Sequence, residues 1–363
     1  MSDKKVEVKV MMFGGRRCGK TSVLAAMQSC FEEKFGRGNL MIYADDDDTM
    51  IKLEEKSREI SSYFHNQGKS RSFTPDSAPT LDIIEYRFNI NLKNKDSDGM
   101  IVDFIDYPGE WLDAKKYPDK YKMLGEMIKK VHIIIIAIDS PHLMEQTNSD
   151  EEDAVGQFND NRNYSRRIGE WAKRNFSTKS DLAAKMVLFV PLKCEKYYHA
   201  GQMDILNKKI HKAYKDTFNF FTNNQQPYEV AITPILTCGD VDGGVEFDRF
   251  ERDEVTKEIV LESEYQTPKK ALYIFTKKMA EPKPLYCEQP MIYILSYVLA
   301  MVKIIKTNEK KGEGFFGGIL RWFNETFFNV AAVEDFVQEQ ALIKQAMKKN
   351  DNGYEIFSNP LNF

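Results

Sequence analysis

Apolar and polar stretches alternate along the chain in a pattern that predicts strands separated by helices. Apolar, β-branched runs predict strands at 6–13, 131–138, 186–191 and 230–236. Helical spacing follows or precedes them at 22–35, 153–174, 202–221 and 291–305. The isoleucine run at 131–138 is typical of a central parallel strand that is buried on both faces. Strands that alternate with helices predict a doubly wound α/β fold with a mostly parallel sheet.

Other segments modify this plan. Two strands at 81–92 and 100–105 flank a turn rich in Asn, Lys, Asp and Gly, which suits a hairpin and adds one antiparallel strand. A short strand at 40–44 and a charged helix at 49–64 precede it. The charged, irregular stretch from Cys238 to Pro284 predicts an exposed insertion at the edge of the sheet. An amphipathic helix is expected at 331–349, near the end of the chain.

Composition excludes several classes of protein. Of the 363 residues, 42% are apolar and 29% are charged, which is ordinary for a globular chain. The net charge is −4 and no long basic stripe occurs, so no nucleic-acid partner is expected. The N-terminus offers no apolar signal region and the apolar run at 291–302 is too short to cross a bilayer, so we expect a cytoplasmic protein. The five cysteines form no short pair and predict thiols instead of a zinc site.

The most specific motif lies directly after the first predicted strand. Residues 14–21 match G-x-x-x-x-G-K-[ST], between a strand and a helix, as a phosphate-binding P-loop requires. The backbone N–H groups and the helix dipole would bind phosphates, Lys20 would reach the β and γ phosphates, and the Thr21 hydroxyl would ligate Mg²⁺. The expected nucleotide-binding set is Gly14, Gly15, Arg16, Arg17, Cys18, Gly19, Lys20, Thr21 and Ser22.

A second motif ends the strand at 100–105. Asp106 is followed by Tyr107, Pro108, Gly109 and Glu110. A carboxylate at this strand end would hold Mg²⁺ through water, and the N–H of Gly109 would bind the γ phosphate. An apolar strand followed by D-x-P-G downstream of a P-loop predicts a segment that responds to the γ phosphate.

These two motifs resemble those of the TRAFAC-class P-loop GTPases, in which Asp-x-x-Gly begins switch II. Asp106 and Gly109 match that motif, and the string from Asp106 to Leu112 looks like the version in YcjX-like bacterial GTPases. The closer resemblance covers only this motif and the P-loop. The order of elements resembles the class over residues 6–305.

The resemblance implies a base-reading motif after the strand at 186–191. GTPases of this class carry Asn/Thr-Lys-x-Asp there, whereas this chain has Leu192-Lys193-Cys194-Glu195. Lys193 would lay its stem along the base and Glu195 would accept from guanine, although the amide is absent and Glu replaces Asp. Cys238, in the turn after the next strand, matches the position whose backbone meets the guanine oxygen. A solvated Lys and Glu after a strand is the alternative.

Switch I should supply a threonine just before the strand that pairs with the Asp106 strand. Thr80 is so placed, and Thr74 is the alternative. The large number of residues between Lys20 and Asp106 in the sequence predicts an enlarged switch I. The acidic run at 45–48 with Thr49 also fits an aspartyl-phosphatase string, but an acidic start of a helix is the simpler interpretation.

Two residues are candidates for hydrolysis. Glu110 stands where many small GTPases carry the glutamine that orients water, although it would instead brace the loop if it points away from the nucleotide. Arg17 matches the position at which guanylate-binding proteins carry an arginine finger in cis, which neutralises charge on the transferring phosphoryl group. Alternatively, Arg16 and Arg17 are solvated or pair with the acidic run.

Together these features predict a Mg²⁺-dependent, GTP-hydrolysing switch on a P-loop NTPase fold with a C-terminal helical extension. The predicted domain covers 1–305, with a switch I insertion at about 36–80 and an edge insertion at about 239–285, and the aromatic and helical extension covers 306–363. An ATP-binding or nucleotide-locked scaffold is the alternative function, and a small-molecule kinase ranks after it. The partner would be a protein effector. The aromatic segment 314–328 is either a partner or membrane contact or the packed seam of the C-terminal helix.

Overall fold

A computed structural model shows how these segments assemble. It describes residues 6–15, 18–35, 40–65, 72–73, 82–93, 99–145, 162–175, 186–222, 228–239, 245–251, 253–256, 260–262, 267–268, 271–275, 281–307, 340–349 and 351–358.

The strands of these residues form one large sheet and two small ones. In chain order they are β1 Val6–Phe13, β2 Leu40–Ala44, β3 Ser72–Phe73, β4 Ile84–Leu92, β5 Met100–Asp106, β6 Ile133–Asp139, β7 Met186–Leu192, β8 Glu229–Ile232, β9 Val245–Phe250, β10 Leu261–Glu262, β11 Thr267–Pro268, β12 Ala271–Phe275 and β13 Glu355–Ser358. The eight-stranded sheet has the order β13-β8-β7-β6-β1-β5-β4-β2. Its neighbours from β8 to β5 pair in parallel, whereas β4 is antiparallel to β5. The doubly wound, mostly parallel α/β fold is confirmed.

Helices connect the strands and cover both faces. They are α1 Lys20–Phe35, α2 Asp47–His65, α3 Pro118–Met127, α4 Pro141–Met144, α5 Ser165–Asn175, α6 Glu195–His199, α7 Met203–Ala213, α8 Lys215–Thr222 and α9 Gln289–Thr307. Residues 340–346 are also helical, and Gly109–Leu112 and Ile128–Lys130 form 3-10 turns. In the part of the chain that the structure describes, none of the helices combines the length and apolarity that a membrane crossing needs.

The isoleucine strand β6 shows why the sheet is covered on both sides. Ile133 and Ile135 face a core that includes α1 and α9, while Ile134, Ile136 and Ile138 face a core that includes α5, α7 and α8. All seven residues of β6 are buried, as its unbroken apolar run predicts.

Strand register brings the predicted site to one edge of the sheet. Met12 of β1 lies opposite Asp106 of β5, and Asp139 of β6 lies opposite Leu192 of β7. Because parallel strands end at the same edge, the P-loop, the Asp106 motif and the segment after β7 converge there.

Several element predictions need correction. The chain ends on a strand, β13, which pairs antiparallel with β8 and gives the sheet a second antiparallel member that the sequence did not reveal. The helix predicted at 202–221 is broken at Tyr214, where φ and ψ leave the helical region. The strand predicted at 230–236 stops at Ile232. The helix predicted at 331–349 is described only from residue 340, and of the one predicted at 153–174 the structure describes 162–163 and α5.

The edge insertion differs most from expectation. Strands β9 and β12 from this segment pair with each other, and β12 also pairs with β3 from the predicted switch I insertion. Three aromatic side chains that the structure describes in this small sheet are buried: Phe250 is 3% exposed, Tyr273 is 6% exposed and Phe275 is 9% exposed. The expectation of an exposed, irregular insertion was therefore wrong where these residues lie, because Phe250, Tyr273 and Phe275 pack with Phe64 of α2. The boundaries of the predicted domains stay predictions.

Candidate functional site

The P-loop surrounds the ammonium of Lys20, the first residue of α1. Lys20 Nζ lies 3.3 Å from the carbonyl oxygens of both Gly14 and Gly15 and 3.4 Å from Asp106 Oδ1. Burial lowers the pKa of Lys20, but the negative groups around it, with Asp106 the strongest of them and Glu110 among the others, together raise the pKa above its ordinary value. A buried ammonium that is held by two carbonyls at the start of a helix is well placed to meet a phosphate.

Two positions in this loop require glycine. Gly14 has φ +144°, and a Cβ there would lie 2.7 Å from the Ala137 carbonyl oxygen. A Cβ at Gly15 would overlap the carbonyl of Arg162. Any larger residue at Gly14 would have to shift β6, so the match to the P-loop pattern has a physical cause.

Oxygen ligands for a hard cation lie beside Lys20. Thr21 Oγ1 is 3.4 Å from Asp106 Oδ2, and Asp106 is 1% exposed. A hydroxyl next to a carboxylate fits Mg²⁺, which takes oxygen ligands at near-octahedral geometry. Tyr86 of β4 also lies here: burial raises its pKa to about 12 and the charge of Asp106 adds to that, while a hydrogen bond with Thr21 opposes both.

The segment after Asp106 packs directly on the P-loop. A Cβ on Gly109 would overlap the carbonyl of Gly14, so the backbone of the two motifs is in contact. Gly109 begins a 3-10 turn that contains Glu110, whose negative charge helps to raise the pKa of Lys20. Movement of this segment therefore changes the surroundings of the P-loop.

A second buried carboxylate, Asp139 at the end of β6, organises the other end of the site. Lys193 Nζ lies 2.8 Å from Asp139 Oδ2, and Arg162 Nε and Nη2 each lie 3.3 Å from the same oxygen. Burial alone would raise the pKa of Asp139, but Lys193, His142 and Arg162 hold it well below its ordinary range. Asp139 is thus an anion that fixes two cations near the P-loop.

His142 and Asn163 complete this cluster. His142 Nδ1 lies 2.8 Å from Asp139 Oδ1, and burial lowers the pKa of His142 to about 4 despite that carboxylate. The imidazole is therefore neutral at neutral pH and donates from Nδ1. The Asn163 side chain accepts from the Asp139 N–H at 2.8 Å and donates to the Asp139 carbonyl at 3.2 Å.

The residues predicted to read the base lie next to this cluster. Lys193 has φ +55°, and its Nζ donates to Asp139. Glu195 Oε1 accepts from the backbone N–H of Cys238 at 3.1 Å. Burial raises the pKa of Glu195, and backbone N–H groups of 237–239 partly oppose this. Lys193, Glu195 and Cys238 are therefore brought together, with Glu195 already bonded to the turn.

The structure places most of the remaining predicted residues. Cys18 and Gly19 directly precede α1, and Gly19 has φ +110°. Ser22 lies in the first turn of α1. The acidic run begins α2, where the Thr49 N–H donates to Asp46 Oδ1 at 2.7 Å, which supports the acidic start of a helix over a phosphatase string. Arg16, Arg17, Thr74, Thr80 and the segment 314–328 lie outside the described residues, and their roles stay predictions.

Sequence reasoning missed Asp139, His142, Arg162 and Asn163. Asp139 carries a usable signal because it ends a buried strand at the same edge as Asp106. Arg162 and Asn163 carry none, since they lie before α5 without a motif. Only the fold brings the Arg162 carbonyl against Gly15.

The chain was compared with curated proteins, with solved structures and with protein families. No curated protein matches the chain. Among solved structures, the GTPase-like domain of S. cerevisiae Ski7 bound to GTP is 12% identical with a TM-score of 0.34, covering 66% of this chain and 44% of that one. The same domain bound to GDP and inorganic phosphate is 12% identical with a TM-score of 0.33, covering 64% and 43%. The chain thus spans less than half the length of these structures.

The family comparison is more informative. The model of the Double-GTPase 2 family, DO-GTPase2, matches residues 9–211, more than half of the chain. This span contains Lys20, Asp106, Asp139 and Lys193. The chain therefore belongs to the Double-GTPase 2 family.

Proposed function

We propose that this protein binds GTP with Mg²⁺ and hydrolyses it to GDP and phosphate as a molecular switch. The observation that carries the proposal is the contact of Lys20 Nζ with both P-loop carbonyls and with Asp106. Membership in the Double-GTPase 2 family supports GTP as the ligand. We also propose, from the Asp106 to Leu112 motif, that the chain is a TRAFAC-class protein of the YcjX-like kind.

Different residues of the P-loop and of the Asp106 motif bind the phosphates and the metal ion. Lys20 binds the β and γ phosphates, and the N–H groups at the start of α1 bind the phosphate oxygens. Thr21 and Asp106 would hold Mg²⁺, with Thr80 or Thr74 as the switch I ligand. When bound, the ion would supply positive charge beside the phosphate oxygens. Gly109 senses the γ phosphate through its backbone N–H.

Hydrolysis needs a positioned water and a cation near the transferring group. Glu110 lies in the 3-10 turn after Gly109, close enough for its charge to act on Lys20, and this supports it as the residue that accepts from the attacking water. Arg17 supplies the additional cation from within the P-loop.

Arg17→Ala should lower the single-turnover rate and leave affinity nearly unchanged, with Arg16→Ala as the control. Equal weakening of binding by both variants would contradict a finger role.

The base is held by Lys193, Glu195 and the turn at Cys238. The Asp139 carboxylate fixes the Lys193 ammonium, so the Lys193 stem forms one side of the base site. Glu195 is the acceptor for the guanine edge, and the Cys238 N–H bond holds that carboxylate in place. A bidentate acceptor facing adenine would lose paired hydrogen bonds worth about 1 to 3 kcal/mol.

The test is equilibrium binding of labelled GTP with GTP or ATP as competitor. Lys20→Ala should abolish binding without unfolding the chain, whereas Lys34→Ala, an exposed lysine in the last turn of the same helix, should bind as the parent does. Binding by Lys20→Ala at the parent affinity would contradict the proposal. Equal competition by ATP and GTP would favour an ATP-binding protein. Tight GTP binding without phosphate release would favour a nucleotide-locked scaffold.

The cellular setting is also a proposal. A switch of this kind acts on a protein effector in the cytoplasm. Segment 314–328 is the candidate contact surface. Hydrogen exchange of that segment with GDP and with a GTP analogue is the test, because equal and strong protection in both states would mean a packed seam.

A further inference from the structure

The three-stranded sheet joins two segments that are far apart in the chain. Strands β9 and β12 come from the predicted edge insertion, while β3 comes from the predicted switch I insertion. Tyr273 of β12 pairs with Phe73 of β3 on one side and with Phe247 of β9 on the other. The sheet therefore holds the switch I insertion and the edge insertion together by backbone pairing.

One end of this sheet lies on the base end of the nucleotide site. The ring of Phe250 is 4.8 Å from the ring of His142, and His142 Nδ1 is 2.8 Å from Asp139 Oδ1. Asp139 in turn holds Lys193. Strand β9 also packs against α6, the helix that begins with Glu195.

A second contact is made at the turn after β8. Phe64, Phe250, Tyr273 and Phe275 form a buried aromatic cluster that packs against Cys238, whose N–H bonds Glu195. Burial raises the pKa of Tyr273 well above its ordinary value, and the negative charges of Asp139 and Glu195 add to this, which is consistent with a phenol that lies near both carboxylates. Protein atoms alone leave Glu195 only 5% exposed.

The same aromatic cluster attaches the sheet to α2. The rings of Phe64 and Phe275 lie 5.2 Å apart at 73°, an edge-to-face contact, and Ile60 and Tyr63 of α2 also pack on the cluster. Helix α2 and strand β3 both belong to the predicted switch I insertion. The sheet thus connects the base end of the site with the segment expected to sense the γ phosphate.

We propose that the three-stranded sheet is a gate over the base end of the nucleotide site, coupled to switch I through β3 and α2. Nucleotide enters and leaves only when the sheet separates from His142 and Cys238. The inference rests on the proposed function, since it names the regulation of that same site.

A gate has a kinetic signature that a simple wall of the pocket lacks. A residue that only contacts bound nucleotide changes the dissociation rate and leaves the association rate nearly unaltered. A residue that holds a gate closed limits both directions, so its removal raises both rates and alters the dissociation constant less than either.

The experiment measures association and dissociation of fluorescent mant-GDP by stopped flow with the full-length chain. Phe250→Ala removes the ring on His142 and should raise both rates at least tenfold. Phe221→Ala is the matched control, because Phe221 is an aromatic residue buried to 2% exposure against Tyr228 in a different core. That variant should keep the parent rates. Phe250→Leu, which retains an apolar side chain, should raise both rates less and provides a folded alternative to the alanine variant.

Each outcome decides the matter. Parent-like rates in both Phe250 variants would overturn the gate, and so would a faster dissociation with an unchanged association rate. The same change in Phe221→Ala would mean general loosening and would also overturn it. Absence of mant-GDP binding by the parent would instead contradict the proposed function.

Hydrogen exchange tests the coupling to switch I. With a non-hydrolysable GTP analogue, the amides of β12 should exchange several-fold more slowly than with GDP, because an ordered switch I would hold β3 against β12. Amides of β8, which pairs in the eight-stranded sheet and not with the small sheet, serve as the internal control. Equal exchange of β12 in the two nucleotide states would overturn the coupling.

Discussion

The ammonium of Lys193 lies 2.8 Å from the buried carboxylate of Asp139, which is 1% exposed. Arg162 shares the same carboxylate oxygen. One anion therefore orients two cations at the edge of the sheet where the P-loop begins. Because burial makes an unpaired charge expensive, this pairing fixes the positions of Lys193 and Arg162 at the end of the site that we propose binds the base.

Asp139→Asn should weaken nucleotide binding by tenfold or more, because Lys193 and Arg162 lose the anion that orients them. Breaking a buried ion pair also typically costs about 3 to 5 kcal/mol of unfolding free energy. Binding of labelled GTP and chemical denaturation measure the two effects. Asp113→Asn is the control, since Asp113 pairs with Arg167 at 3.4 Å on a part-exposed surface. An Asp139→Asn variant with parent affinity would show that the cluster is not needed for binding.

Much of the site could be predicted because its residues follow predicted strands. The P-loop that leads to Lys20 begins directly after the apolar run of β1, Asp106 ends the apolar run of β5, and parallel strands must end at the same edge. Asp139 satisfies the same rule but lies in no motif. Its importance depends on Arg162 and Lys193, which come to it from different segments. Such a charge cluster is a property of tertiary structure and not of any local pattern.

The small sheet could not be predicted for a related reason. Strand β3 has only two residues, Ser72 and Phe73, and its partner β12 is about 200 positions away in the sequence. A pair so short has no periodicity to recognise. Strand β9 has the sequence V-E-F-D-R-F, in which two adjacent charges interrupt the alternation, so the pattern predicts an exposed loop. These strands form because their aromatic residues are buried against α2.

The neutral His142 predicts a pH dependence of stability. Burial lowers its pKa from 6.5 to about 4 in the folded state, so the unfolded state binds more protons between these pH values. The contribution of neutral His142 to the free energy of unfolding is therefore complete above pH 6.5. It is lost as the pH falls toward 4, by up to about 3 kcal/mol. His142→Asn keeps a neutral donor near Asp139 and cannot charge.

The measurement is the unfolding free energy of parent and variant at pH 7 and pH 4.5. The parent should lose more stability than His142→Asn on acidification. His211→Asn, at a part-exposed histidine, should behave as the parent does. An identical loss in the parent and in His142→Asn would mean that His142 does not titrate in this way.

The raised pKa of Asp103 predicts a pH dependence of stability with the opposite sign. Burial raises its pKa from 3.8 to about 6, and Glu85 adds to this, although Lys9 lies 3.2 Å away and opposes it. Here the folded state binds more protons between these values, so stability falls as the pH rises through about 6. Asp103→Asn should therefore gain on the order of 2 kcal/mol over the parent at pH 8 compared with pH 4. Denaturation at both pH values measures this, and a constant difference would contradict it.

Gly109→Ala tests the contact between the switch II motif and the P-loop. A Cβ at this position would overlap the Gly14 carbonyl, which also accepts from Lys20 Nζ at 3.3 Å. Two backbones cannot both keep their places around an added methyl group, so the Gly109 segment should move away from the P-loop.

We expect this variant to fold and to bind GDP within about threefold of the parent, because GDP lacks the γ phosphate that we propose Gly109 binds. Affinity for a non-hydrolysable GTP analogue should fall by tenfold or more, and single-turnover hydrolysis should fall with it. Gly201→Ala is the control for a glycine substitution, since Gly201 has no atom within 4 Å of an added Cβ, although its φ of +65° will cost some stability. Equal loss of GDP and GTP-analogue binding in Gly109→Ala would indicate damage to the whole P-loop and would contradict a γ-phosphate role for Gly109.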